Sequence, residues 1–210
     1  MPKLKVLLLT AFLLVAPFCY SAGTTERHLL EQCISYEDLG TAIRYGQSWV
    51  DYPGYADRKA WEERVAPEMK EIIIRNGEKA LTHIWKPDLA SDYLAFKRTG
   101  EIRTGRANHR ALQALTLAEL VEGKGRFMDA IIDGTWFLCE TSWIHSAHLG
   151  FQKDRSGLPD RNEPTIELVV ADIGAQIAWT YYFLKDEFDK VSPLINQRIV
   201  EELSLIHISE

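Results

Sequence analysis

Cysteine is scarce in this chain, with three in 210 residues. That excludes a disulfide-dense scaffold. Cys19 lies in an N-terminal segment read below as a leader, and Cys33 and Cys139 remain. Each of the two sits among apolar neighbours and is expected as a free, buried thiol, although an exported protein could pair them. Positive charge is also in deficit: 24 Lys and Arg against 30 Asp and Glu give a net charge of −6. No broadly basic surface for nonspecific nucleic-acid binding follows from that balance. No stretch sustains the period-two alternation of a half-buried strand, so no sheet is expected. Phosphate loops, dinucleotide fingerprints and nucleophile elbows are absent from the sequence, and no cofactor is expected. What is abundant is apolar surface, 46% of residues including six Trp, which excludes a disordered or collagen-like chain.

Both ends carry segments that differ from the rest. Lys3 and Lys5 precede an apolar run from Val6 to Pro17, and the small residues Ser21, Ala22 and Gly23 follow. This is the layout of a secretory signal, expected to span 1–22, and its core is well short of the roughly 20 residues of a membrane-spanning helix. Phe18 before Cys19 argues against lipidation, which needs a small residue there. The mature chain is therefore expected to be secreted or periplasmic, with no membrane partner once the signal is removed. At the other end, Leu203-Ser204-Leu205-Ile206-His207-Ile208-Ser209-Glu210 reads as the translation of a transposase adaptor used in sequencing libraries. The segment 203–210 is accordingly expected to be foreign, leaving 23–202 as the informative domain. Without Lys3 and Lys5 the charge becomes −8, and without Glu210 as well it becomes −7.

Between these ends the pattern is helical. A short helix is allowed over Glu26–Cys33, and further helices are expected over Tyr36–Val50 and Asp57–Leu81, the latter interrupted at Pro67. Asp88–Phe96 follows. Lys97–Arg106 then reads as a glycine-punctuated basic loop. From Ala107 the positions Ala111, Ala114, Leu115, Ala118 and Val121 share a face, and after Glu122-Gly123-Lys124-Gly125 so do Met128, Ile131, Ile132, Thr135, Trp136 and Cys139. This is one helical hairpin. Asn162 with Pro164 is expected to open a helix over Glu163–Leu184, apolar almost all round and so buried on most sides. Ser192-Pro193 opens a last helix packed through Leu194, Ile195 and Ile199, completing a second hairpin. Successive hairpins without a strict repeat fit an all-α, incomplete α/α toroid.

Chemistry is concentrated in two places. Glu140 and then Trp143, His145 and His148 occupy a break between helices, where an indole could stack on a sugar and a histidine could exchange a proton. The alternative is a packed Trp143 with solvated histidines. No third residue at metal spacing accompanies His145 and His148, so no metal site is expected. Arg103 and Arg106 lie in a basic stretch with Lys97, Arg98 and Arg110, suited to carboxylate or sulfate groups. Equally, these arginines could be a solvated loop paired to acids such as Glu101.

Four stretches carry a resemblance: Ala118–Phe127, Trp136–Trp143, Leu158-Pro159-Asp160 and Ala178-Trp179-Thr180-Tyr181-Tyr182. Together they resemble the N-terminal toroid of heparinase II/III-type polysaccharide lyases, over about Tyr45 to Glu202. The resemblance implies β-elimination on uronic-acid polysaccharides. In that chemistry a polar side chain neutralises the uronate, a Tyr or His removes the C5 proton, and a Tyr protonates the leaving oxygen. It also implies that the catalytic residues lie beyond Glu202, so that this fragment is inactive alone. The expected partner is an acidic polysaccharide, with oligomeric state left open. Substrate contacts are expected at Glu140, Trp143, His145 and His148, and anion contacts at Arg103 and Arg106. Two other readings stay open. An α/α-barrel glycoside hydrolase would use Glu140 with Asp172 as its carboxylate pair, and a noncatalytic helical module would only bind glycan.

Overall fold

The computed structural model describes residues 33–42, 50–163 and 165–207. The expected signal and the short helix ahead of Cys33 lie outside the described residues. The chain divides into two units at Asp51. In the first, helix α1 (Tyr36–Ala42) starts behind Ser35, whose Oγ accepts from the Asp38 amide at 3.1 Å. Cys33 in this unit is exposed, not buried as its neighbours suggested.

The second unit is built from α2 (Arg58–Arg64), α3 (Pro67–Ala80), α4 (Ala90–Thr99), α5 (Ala107–Glu122), α6 (Met128–Cys139), a 3₁₀ turn (Ser146–Phe151), α7 (Leu168–Val191) and α8 (Pro193–His207). No strand occurs among the described residues, and the fold is all-α. None of the described helices is long and apolar enough to cross a membrane.

Pro67 sits in the first turn of α3, where its missing N–H costs nothing, and this separates α2 from α3 as the sequence predicts. Gly123 closes α5 in the left-handed region (φ 65°), a conformation that favours glycine. The hairpins α5–α6 and α7–α8 both form. They also stack on one another: α3, α5 and α7 contact in series, and α6 contacts α8. The core lies between these two rows, around Leu112, Leu115, Phe127, Ile131, Ile177, Leu184, Phe188 and Ile199.

Several boundaries differ from the sequence reading; α7, for one, runs on to Val191, past the expected Leu184. Lys97–Thr99 belongs to α4, which runs on until Gly100 turns left-handed (φ 75°). Helix α6 begins at Met128 with Phe127 as its N-cap, and Glu119 takes the amides of Gly125 and Phe127 that no helix carbonyl reaches. Helix α7 begins at Leu168, not Glu163, and Asn162 does not cap it. The Glu167 carboxylate takes the cap, accepting from the amides of Val169 and Val170. Helix α8 continues through His207, and Leu203 packs against the core.

Burial differs as well. Trp136 and Leu194 are exposed, Ala114 and Ile132 only half-buried. Helix α7 is not buried on most sides: Val169, Val170, Ile173, Ile177 and Leu184 face the core, while Asp172, Ala175 and Ala178 are exposed and Trp179, Tyr182 and Phe183 half-buried.

Candidate functional site

The Gly-rich turn between α5 and α6 is organised by a carboxylate. Glu119 is wholly inaccessible. Its oxygens accept from the Tyr55 hydroxyl at 2.7 Å and from the amides of Gly125 and Phe127 at 2.7 and 3.1 Å. Burial and the adjacent carboxylate push the Tyr55 hydroxyl well above the usual tyrosine range, so it stays protonated and donates. The stretch that carries much of the family resemblance is thus a structural knot. Arg58 adds to it by donating to the Leu120 carbonyl at 2.8 Å, near the C-terminal end of α5.

The residues predicted to contact substrate are distributed otherwise than expected. Trp143 is a core residue, only 8% exposed, and its indole N–H donates to the Leu138 carbonyl at 2.7 Å. A ring held this way closes the α6 terminus and is a packing residue first. Glu140 is exposed and pairs with Arg198 of α8 at 3.1 Å. Arg103 pairs with Glu101 at 2.7 Å.

His145 caps the 3₁₀ turn, its Nδ1 accepting from the Ala147 amide. His148 Nδ1 is hydrogen-bonded to the Glu167 carboxylate. The two histidines are half-buried and partnered; they and Glu167 fasten the 143–151 segment to the start of α7. Burial alone would raise the Glu167 carboxyl. The amides of Val169, His145 and Val170 together with the His148 ring outweigh it and hold the group below its ordinary range. Beside this knot, the hydroxyls of Thr104 and Ser146 are 3.0 Å apart and buried.

Arg106 is the predicted residue that does face a groove partner. It approaches Asp172 of α7 at 3.5 Å, and His109 Nε2 lies 3.8 Å from the same carboxylate. Burial, followed by the charges of Arg106 and Arg110, lowers the His109 pKa against the pull of Asp172, so the imidazole is neutral at pH 7. His109 Nδ1 is buried and has no hydrogen-bond partner among the described residues.

From this polar end a groove of about 490 Å³ runs between α5 and α7. Trp179 and Phe183 stack at 5.7 Å with 20° between planes, and Tyr52 stands edge-on to both at 5.9 Å. Gln113 and Gln176 also line it, and Gln176 ties the two helices by donating to the His109 carbonyl at 2.8 Å. Sequence reasoning missed this groove. Periodicity places Trp179 and Phe183 in a buried helix and does not single out His109. Their one shared signal was position, since an aromatic pair at i and i+4 on α7 lies one side of the helix.

Asp172 lines the groove but Glu140 does not, and each carboxylate has its own cationic partner. The pair required by the hydrolase reading is not assembled. Among the described residues no group of three or more His, Cys, Asp or Glu could hold a metal ion. Comparison with known protein families finds none that matches the chain, and no curated protein matches it.

Proposed function

We propose that this chain is part of an exported polysaccharide lyase and that the α5–α7 groove holds one or two residues of a uronic-acid glycan. The observation that carries the reading is the conjunction, in one groove, of stacked aromatic rings with a neutral histidine and a carboxylate, with Arg106 beside the groove and paired to that carboxylate. Sugar rings present C–H faces that pack on aromatic surfaces, while Arg106 can exchange its partner Asp172 for a uronate. The stacking of α3, α5 and α7 in one row supports an α/α toroid in which this row is the inner one. The resemblance of four stretches to heparinase II/III-type enzymes supports elimination as the chemistry. Substrate contact is assigned to Arg106, His109, Trp179 and Phe183, and no described residue is assigned the proton abstraction.

The test is calorimetric titration of the chain with a hexamer of polygalacturonate and with neutral dextran. Trp179→Ala is expected to weaken hexamer binding about ten-fold, the equivalent of roughly 1.4 kcal/mol. Undiminished binding by a folded W179A chain would remove the groove from the proposal. A product from polygalacturonate absorbing through a new C4–C5 double bond separates a lyase from a hydrolase.

A further inference from the structure

A second groove, on a different face of α5, has the opposite character. Its volume is about 740 Å³, and it lies between the C-terminal half of α3, the 82–88 segment and the first two turns of α5. Lys79, Lys86 and Arg110 line it, all exposed, and none of the three has a carboxylate partner within ion-pair distance among the described residues. Arg103 lines it too and is the exception, being held by Glu101. Asp88 is the one acidic residue in the lining, and burial raises its pKa. In a chain of net charge −6, unpaired cations converging on one groove stand out from the surface around them.

The groove is also held in shape. Asn108 of α5 accepts from His83 Nε2 at 2.9 Å and donates to the Lys86 carbonyl at 2.7 Å, which fixes the 83–86 segment against the helix. His83 is in turn edge-on to Trp85 at 4.8 Å, and the Trp85 ring covers Gly134 of α6 so closely that an added Cβ would meet it at 2.4 Å. The cationic side chains thus project from a fixed backbone, and less ordering is needed when an anion arrives.

We propose that this groove binds the sulfate or carboxylate groups of an acidic glycan, as a site separate from the α5–α7 groove. A volume of this size exceeds one oxyanion, so a chain bearing several anionic groups fits it better than a free ion does. Nucleic acid fits poorly: apart from the His83 imidazole no aromatic ring lines the groove to stack a base, and the chain is acidic overall. The inference does not rest on β-elimination; a glycan-binding module with no catalysis would carry the same site.

The test titrates three forms of the chain, wild type, the triple variant K79Q/K86Q/R110Q and W179A, with dextran sulfate and polygalacturonate oligosaccharides. Inorganic sulfate, neutral dextran and a dT12 oligonucleotide are run alongside, and far-UV circular dichroism checks that each variant is folded. All three substituted cations are exposed, so the triple variant is expected to retain wild-type helicity. Two classes of glycan binding are expected in the wild type. The triple variant should lose the class that W179A retains, its affinity falling about ten-fold or more at low ionic strength. W179A should lose only the other. Two classes surviving in the triple variant, or a single class in the wild type, would overturn the inference while leaving the α5–α7 reading to stand on W179A. Equal binding of dT12, or of inorganic sulfate at the same concentration, would overturn it as well by showing a different ligand.

Discussion

At the residue scale, several side chains that looked chemical are structural, and the reason is burial with complete partnering. Glu119 is ionisable, yet all its protein partners are donors that close the Tyr55 loop and the α5–α6 turn. Glu119→Ala should destabilise the chain by about 3 kcal/mol, since it leaves buried donors without acceptors, and urea denaturation would measure it. Trp143→Ala should cost a similar or larger amount, about 3–5 kcal/mol, with no direct effect on glycan affinity. Glu167 gives a pH signature. Because its folded-state pKa is depressed, its contribution is complete above the ordinary glutamate range and is lost as pH falls through the folded value. Glu167→Gln should therefore flatten the fall of Tm on the acid side and cost about 1–2 kcal/mol at neutral pH through the weakened cap. A Tm series from pH 3 to 7 decides this, and an unchanged acid limb in E167Q would refute it.

At the scale of elements, α5 is the organising helix, and its faces have separate duties. Leu112, Leu115 and Ala118 are in the core, His109, Gln113 and Leu117 line one groove, and Asn108, Arg110 and Ala114 line the other. Its approach to α3 is set by Gly77, where an added Cβ would lie 2.2 Å from the Ala118 Cβ and 3.3 Å from the Ala114 carbonyl. Gly77→Ala should push the helices apart and cost about 1–3 kcal/mol, read as a lower urea midpoint. The helices α2, α3, α5 and α8 were legible in the sequence because Pro67, Gly123 and Ser192-Pro193 act locally at their ends. The start of α7 was not. Its cap is a glutamate, a residue type with little capping preference, recruited because His145 and His148 hold its carboxylate in place.

At the scale of the molecule, the second unit stacks two hairpins into rows, and function is proposed where the row of α3, α5 and α7 leaves its two grooves. Both grooves depend on side chains far apart in sequence: Tyr52 and Trp179 in one, Lys79 and Arg110 in the other. A pH dependence belongs to this scale too. Burial depresses His109 and His145 alike, so the stability each contributes is present above the ordinary histidine pKa, near 6.5, and falls as pH drops through the lower folded values. Proton NMR of the histidine rings should show both titrating below that value. In His109→Gln the destabilisation that sets in below about pH 6.5 should be reduced.

The sequence by itself determined the all-α character, the two hairpins and most helix ends, because period, proline, glycine and capping act over a few residues. It also marked the basic stretch around Arg103, Arg106 and Arg110 as unusual in an acidic chain. Only the tertiary structure decided which of those arginines is paired and which is left facing a groove. It also decided that Trp143 and Glu119 hold the fold together while Trp179 and His109 line open space. Those outcomes depend on which helix faces meet, and a face contact between α5 and α7 joins residues some 60 positions apart, such as Thr116 and Thr180 at 3.3 Å.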